Sequence, residues 1–129
     1  DNLLKTFKNV KYHLEEDGIF IFDINSYYKL KEIIGNNTFV EDREDIFYIW
    51  QNYFDHKKNI AEFYLTFFVK EEKGYFTRFD EEHMEKAYKT EEIIELLQKV
   101  GFSQIYLYDG FTFNKPSKKS QRINFVALS

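Results

Sequence analysis

The sequence predicts an α/β fold in which an antiparallel β meander is inserted into a mixed unit of helices and strands. Three observations support this prediction. A helical apolar pattern runs directly into an apolar strand near the start of the chain, a period-two pattern with turn signals follows, and helical periodicity then returns before two final strands. We therefore assign residues 1–45 and 89–129 to the mixed unit and residues 46–88 to the inserted meander.

The first element is an amphipathic helix. Leu3, Phe7, Val10 and Leu14 recur at spacings of four, three and four, which places them on one helical face. Gly18 is expected to end this helix in a left-handed conformation, because glycine has no Cβ to oppose that geometry.

The strand that follows carries the first candidate site. Ile19–Phe22 is apolar at every position, which predicts a strand buried on both faces of a parallel sheet. The polar residues Asp23 and Asn25 come at its carboxyl end, where open α/β sheets bind ligands. Ser26 is the expected cap of a short helix that ends at Gly35.

The remaining elements follow from the same two periodicities. Strands are predicted at 46–54, 61–69 and 75–88, with turns between them. A helix is expected from Thr90, as its cap, to Gly101. Two further strands are predicted after this helix, Gln104–Tyr108 and Arg122–Leu128, and a polar, basic loop joins them.

Composition excludes several classes of function. With 43% hydrophobic and 31% charged residues, the 129-residue chain is of ordinary globular composition. The net charge of −4 argues against nucleic acid as a partner, and the absence of cysteine excludes disulfides and thiolate chemistry. No apolar run is long enough to span a bilayer, so we expect a cytoplasmic protein without a membrane partner. The aromatic content of 20% fits either an aromatic-lined pocket or a codon bias.

Three motifs resemble class I S-adenosylmethionine-dependent methyltransferases. Leu14–Gly18 is similar to the helix exit that leads into the family's fifth strand, and Tyr88–Phe102 is similar to its next helix, with a Ser/Thr cap, a Glu-Ile/Leu-x-x-Leu-Leu core and a closing Gly-Phe. Arg78–His83 resembles the antiparallel lid of a subset of small bacterial members. The resemblance covers nearly the whole chain.

The resemblance implies the last three strands of a Rossmann-like methyltransferase sheet with flanking helices, plus an antiparallel substrate lid. It also implies S-adenosylmethionine as cofactor and a small-molecule acceptor. The family's Gly-x-Gly-x-Gly cofactor loop is missing, because the five glycines are scattered along the chain. We therefore expect a C-terminal part cut from a longer protein, which begins at Asp1 and is inactive and unable to hold most of the cofactor by itself.

Methyl transfer requires alignment of the reacting atoms and sometimes removal of a proton. Asp23 is the candidate catalytic residue of the mixed unit, with Asn25, Tyr27 and Tyr28 as substrate-binding candidates beside it. Strand-end capping and packing of the short helix are the alternative roles. No residue of this chain is expected to bind the cofactor directly or to bind a metal.

The meander carries three further candidates. His83 is the candidate base, since an imidazole titrates near neutrality; the alternative is an exposed histidine on a charged strand. Arg78 either pairs with a substrate carboxylate or with a nearby acid such as Asp80. Trp50 either lines the substrate, with its aromatic neighbours, or belongs to a hydrophobic core.

Two alternatives to an enzyme remain open at this stage. The first is a non-enzymatic α+β ligand-binding or dimerisation domain, and the second is a regulatory remnant that has lost catalysis. The position of Ile19–Phe22, inside a parallel sheet or at the edge of an antiparallel one, is expected to separate the first alternative from the methyltransferase. An unpaired edge there also predicts self-association.

Overall fold

In the computed structural model, which describes residues 2–129, the chain forms two compact units. The mixed unit contains the residues up to Lys29 together with Tyr88–Ser129, and the meander unit contains Leu30–Ala87. In chain order the elements are α1 (Asn2–His13), β1 (Ile19–Asn25), a short π-helix (Lys29–Ile34), β2 (Thr38–Asp42), β3 (Ile46–Asp55), β4 (Ile60–Lys70), β5 (Phe76–Lys86), α2 (Thr90–Val100), β6 (Gln104–Asp109) and β7 (Arg122–Leu128). These elements agree with the predicted α/β class and its inserted antiparallel meander.

The mixed unit contains a three-stranded sheet in the order β1, β7, β6. The central strand β7 is antiparallel to both neighbours, so β1 and β6 run in the same direction. Phe125 of β7 lies between Phe22 of β1 and Leu107 of β6 in this register. The carboxyl ends of β1 and β6 therefore lie at the same end of the sheet, where β7 begins.

One face of this sheet forms the core of the mixed unit. Phe7 of α1, Ile93 and Leu97 of α2, and Phe125 of β7 are buried together in one cluster. The rings of Phe22 and Phe125 stack with centroids 5.0 Å apart. Because the predicted helical stripes supply these contacts, the helices and the sheet stabilise each other.

The expectation that β1 is buried on both faces is wrong for this chain. Phe20 and Phe22 point toward the core, whereas Ile19 and Ile21 are 55% and 67% exposed on the opposite face. The pairing is also antiparallel, because β7 and not a parallel strand occupies the neighbouring position. The position of β1 therefore does not separate the methyltransferase from the ligand-binding alternative. The strand lies at an edge of the sheet and pairs antiparallel with β7, yet it runs parallel to β6.

Helix ends differ from the prediction at two positions. Asp17, with φ of 61°, takes the left-handed conformation expected of Gly18. Gly18 is needed for space instead, since a Cβ there would lie 2.9 Å from the carbonyl oxygen of Glu15. The N-cap of α2 is Lys89 and not Thr90, while Gly101 ends this helix with φ of 101°, as predicted.

The meander unit is a four-stranded antiparallel sheet in the order β2, β3, β4, β5. The three predicted strands are present with ends shifted by no more than two residues. The sequence analysis missed β2, which pairs with β3 from Thr38↔Gln51 to Asp42↔Phe47. This pairing draws the segment before residue 46 into the meander unit, so the first boundary lies at Lys29 and not at residue 45.

Candidate active site

The polar residues at the carboxyl end of β1 project from the face opposite the helices. Phe22 and Ile24 pack against the core, so the alternation of the strand directs Asp23 and Asn25 away from it. In the sheet register Asp23 lies opposite Asn124, and Asn25 lies opposite Arg122. At this end of the sheet, Asp23 and Asn25 of β1 and Arg122 and Asn124 of β7 thus form a polar cluster.

Arg122 joins the two candidate residues of β1. Its Nη1 forms an ion pair with Asp23 Oδ2, and its Nη2 lies 3.4 Å from Asn25 Oδ1. Lys29 Nζ donates a second hydrogen bond to Asn25 Oδ1 at 2.9 Å. The side chains of Arg122 and Asp23 are 37% and 35% exposed, so a small molecule can reach them. A paired carboxylate of this kind serves as a hydrogen-bond acceptor with fixed orientation.

Asn124 extends the cluster toward the loop between β6 and β7. Its Nδ2 donates to the backbone carbonyl of Gly110, which fixes the start of that loop. Its Oδ1 is buried and has no hydrogen-bond partner among residues 2–129. A buried acceptor without a partner is costly, and a donor group on a ligand would remove that cost.

Tyr27 and Tyr28 follow β1 directly, and both are half-buried. The turn that carries them is capped as expected, since the Lys29 amide donates to Ser26 Oγ at 3.0 Å. The turn continues as a π-helix. In proteins generally, local π-helical geometry is frequent at functional sites. Their proposed role as walls of an acceptor pocket stays a prediction.

Trp50 belongs to a chain of aromatic contacts on one face of the meander. Its ring centroid lies 5.2 Å from that of Phe39 and 5.7 Å from that of Phe63. Its indole Nε1 is buried without a hydrogen-bond partner among the described residues. The ring is thus positioned by packing, and its buried indole N–H lacks the hydrogen-bond acceptor that such a group usually has.

Arg78 forms the alternative contact considered from the sequence, an ion pair with Asp80. Its Nη2 lies 3.1 and 3.2 Å from the two carboxylate oxygens, and its guanidinium lies over the Phe68 ring at 6.0 Å. Thr66 Oγ1 donates to the same carboxylate at 2.6 Å. The Thr66 hydrogen bond, with Arg78 as the second cause, holds the pKa of Asp80 below its usual value.

His83 is exposed, and its Nε2 lies 3.0 Å from Glu81 Oε2. It lies opposite Phe63 in the sheet, on the same face as Trp50, whereas Arg78 lies on the other face beside Phe68. The three meander candidates therefore do not share one face. Their spacing could have shown this, because residues five apart in a strand point to opposite faces.

The structure adds Arg122 and Lys29 to the site that the sequence indicated. Neither was selected from the sequence, because the contact of Arg122 with Asp23 joins positions 99 residues apart and depends on strand register. Among the described residues, no group of three or more His, Cys, Asp or Glu side chains is arranged to hold a metal. In the part of the chain from 2 to 129, no helix is long and apolar enough to cross a membrane.

The chain is similar to solved methyltransferase structures over almost its whole length. The crystal structure of an S-adenosylmethionine-dependent methyltransferase from Clostridium acetobutylicum ATCC 824 is 41% identical, with a TM-score of 0.91, over 99% of this chain and 51% of that one. The CcbJ methyltransferase of Streptomyces caelestis has a TM-score of 0.76 at 13% identity, over 96% and 48%, and shows the shared fold alone. The chain is thus similar in fold and sequence to about half of an S-adenosylmethionine-dependent methyltransferase, which confirms the resemblance.

Two curated bacterial proteins with methyltransferase names are also similar to this chain. "Putative methyltransferase YqeM" of Bacillus subtilis (strain 168) is 35% identical over 127 residues, which are 98% of this chain and 51% of the relative. A second relative, also named "Putative methyltransferase", comes from Geobacillus sp. (strain WCH70) and is 35% identical over 123 residues, which are 95% of this chain and 50% of the relative. The chain spans about half the length of the curated relatives it matches. No protein-family model matches it.

The cofactor predicted from the resemblance is that of the solved relatives. The Clostridium protein is S-adenosylmethionine-dependent, and CalS10 of Micromonospora echinaspora was solved with S-adenosylmethionine bound. The five glycines of this chain lie in separate parts of the fold. Gly74, Gly101 and Gly110 have positive φ, but they lie at three separate turns, and Gly18 and Gly35 are packed against backbone atoms.

Proposed function

We propose that the protein to which this chain belongs transfers a methyl group from S-adenosylmethionine to a small-molecule acceptor in the cytoplasm, and that this chain supplies acceptor-binding residues. The similarity to the Clostridium methyltransferase, at 41% identity and a TM-score of 0.91, is the observation that carries the proposal. The cofactor loop is assigned to the other half of the protein. The chain alone is inactive in this proposal, because it lacks that loop.

The polar cluster at the end of β1 is assigned to the acceptor. Asp23 accepts a hydrogen bond from the nucleophilic group through Oδ1, while its Oδ2 is held by Arg122. Asn25 orients the same molecule, and Tyr27 and Tyr28 limit its position. As a separate proposal for the meander unit, His83 is the group that receives a proton in the complete protein, since an imidazole can act as a general base.

A small-molecule acceptor is supported by the functions of structural neighbours. CalS10 is named as an amino pentose methyltransferase, and KedS8 of Streptoalloteichus sp ATCC 53650 is named as a sugar N-methyltransferase. Their identities of 12% and TM-scores of 0.69 and 0.65 establish the fold alone. In the mixed unit the exposed polar cluster offers hydrogen-bonding groups to a small molecule, and in the meander unit the aromatic face around Trp50 offers apolar contact.

The outer side of β1 is assigned to the other half of the protein. Ile19 and Ile21 are exposed on the face opposite the helices, and the outer edge of β1 is not paired with another strand among residues 2–129. An unpaired apolar edge favours association with another polypeptide. In the isolated chain the same edge is the proposed site of self-association.

The test is calorimetric titration of S-adenosylhomocysteine into this chain and into the protein encoded by the complete gene, with light scattering on the same samples. We expect binding by the complete protein only, and self-association of the isolated chain only. Absence of binding by both proteins would refute the proposal and favour a non-enzymatic ligand-binding domain.

The acceptor class is tested with the same complete protein and radiolabelled S-adenosylmethionine. Deproteinised metabolites, proteins and RNA from the source organism are offered separately as acceptors. We expect label in the metabolite fraction and its loss in Asp23→Asn, with Asp42→Asn as the matched control at an exposed carboxylate. Label only in protein or RNA would refute the small-molecule assignment.

A further inference from the structure

The loop segment 110–122, which consists of the loop between β6 and β7 and the first residue of β7, presents two phenylalanine rings to solvent. Phe111 is 85% exposed and Phe113 is 94% exposed, although burial of such an apolar side chain stabilises a folded protein. The Arg122 guanidinium lies 6.0 Å from the Phe111 ring, and the Tyr108 ring contacts Phe113 edge-on at 5.8 Å. The rings are supported on one side and open on the other.

Hydrogen bonds within the loop segment hold it in place. The Asp109 amide donates to the Asn114 carbonyl at 2.9 Å, and Thr112 Oγ1 donates to the Asp109 carbonyl at 2.6 Å. Farther along, the Ser117 amide donates to Ser120 Oγ at 2.8 Å. A loop ordered in this way loses less conformational entropy when it binds a ligand than a disordered one does.

The loop segment is strongly basic within an acidic chain. It contains Lys115, Lys118 and Lys119, together with Arg122, whose charge is paired with Asp23, and it contains no acidic residue, in a chain whose net charge is −4. All three lysines are exposed. A local positive field in an otherwise negative molecule attracts anions and repels cations.

The loop segment adjoins the candidate active site. Its last residue, Arg122, forms the ion pair with Asp23, and Asn124 is bonded to the carbonyl of its first residue, Gly110. Both contacts follow from the sheet order, since the carboxyl ends of β1 and β6 flank the start of β7. A molecule held by the loop segment is therefore adjacent to the polar cluster of β1.

We propose that the loop segment 110–122 recognises the methyl acceptor, and that this acceptor is a soluble molecule with a phosphate or carboxylate group beside a ring or other apolar group. The lysines neutralise the anion, and the rings of Phe111 and Phe113 cover the apolar part. This inference rests on the proposed function, because it assigns the acceptor chemistry of the same site.

The test uses the complete protein and phenyl phosphate as a probe that combines an anion with a ring. Backbone amide chemical shifts locate the binding, and benzyl alcohol and inorganic phosphate report the ring and the anion separately. We expect phenyl phosphate to shift amides of the loop segment and to bind more tightly than either partial probe. Each of the three lysines of the loop segment contributes about 0.5 kcal/mol to the binding of phenyl phosphate, so neutralising all three is expected to weaken that binding about tenfold.

Two triple variants decide between specific and general charge effects. The test variant is Lys115→Gln, Lys118→Gln and Lys119→Gln, and the matched control is Lys5→Gln, Lys8→Gln and Lys73→Gln, which removes three exposed lysines elsewhere. Equal weakening by both variants, or phenyl phosphate shifts outside the loop segment, would overturn the inference. Binding of vesicles containing anionic phospholipid without binding of phenyl phosphate would also overturn it, in favour of a membrane surface.

Titration of S-adenosylhomocysteine into the same samples separates this inference from the proposed function. Cofactor binding without phenyl phosphate binding would refute the acceptor chemistry and leave the methyltransferase proposal intact. Absence of S-adenosylhomocysteine binding by the complete wild-type protein would refute the proposed function itself.

Discussion

The contact between Arg122 and Asp23 makes a quantitative prediction, because it joins β7 to the candidate residues of β1. Its side chains are 37% and 35% exposed, so water screens the pair only in part. Fully exposed pairs contribute about 0.2–1 kcal/mol, and hydrogen bonds to charged groups contribute about 1.5–3 kcal/mol when they are shielded. We therefore expect a coupling free energy of about 1 kcal/mol between the two side chains.

A double-mutant cycle in the complete protein measures this coupling. The variants are Arg122→Gln, Asp23→Asn and their combination, and urea unfolding gives the free energy of unfolding of each. The cycle removes the separate contributions of Arg122 to Asn25 and to Phe111, since those contacts are lost equally in both branches.

The matched control is the ion pair of Arg43 with Glu41, whose atoms lie 2.7 Å apart but whose side chains are 68% and 40% exposed. Its cycle, with Arg43→Gln and Glu41→Gln, is expected to give a smaller coupling free energy, because water screens this more exposed pair. A coupling for Arg122 and Asp23 no larger than that of the control would refute the view that this pair organises the candidate site.

Two further predictions concern the core and a titrating group. Phe125→Ala is expected to lower the free energy of unfolding, measured by urea unfolding, by about 3–5 kcal/mol, because Phe125 is fully buried. Phe113→Ala, at an exposed ring, is expected to change it by less than about 0.5 kcal/mol. Similar losses in the two variants would contradict the assigned core. The pKa of Asp80, followed by NMR, should lie below that of an ordinary aspartate and rise in Thr66→Val, since the Thr66 hydrogen bond is its largest cause and Arg78 the second. A lowered folded-state pKa means that the stabilisation from this carboxylate is complete above its unfolded-state pKa and is lost as the pH falls through the folded-state value. An unchanged Asp80 pKa in Thr66→Val would contradict that cause.

Much of the architecture follows from local sequence periodicity. The stripe that contains Phe7 predicted α1, and the alternation around Phe63 predicted the strands of the meander, because the side-chain period of a helix or strand is set by neighbouring residues. The short strand β2 was missed, since its five residues give too little alternation to stand out without their partner β3.

The candidate site was predicted in part. Asp23 and Asn25 were selected because they end an apolar strand, and the structure places both in one polar cluster. Arg122 was not selected, since nothing near it in sequence indicates a partner 99 positions away. The opposite facing of Arg78 and His83 was readable from their spacing and was overlooked.

By itself the sequence determined both α-helices, every strand except β2, the family resemblance and the polar end of β1, because these depend on side-chain periodicity and on motifs within short segments. Only the tertiary structure decided that β7 lies antiparallel between β1 and β6, that Ile21 is exposed while Phe22 is buried, and that Arg122 pairs with Asp23. These features depend on strand order and register. The packing of the whole unit fixes both, because a shift of one residue would exchange the buried and exposed faces of β1.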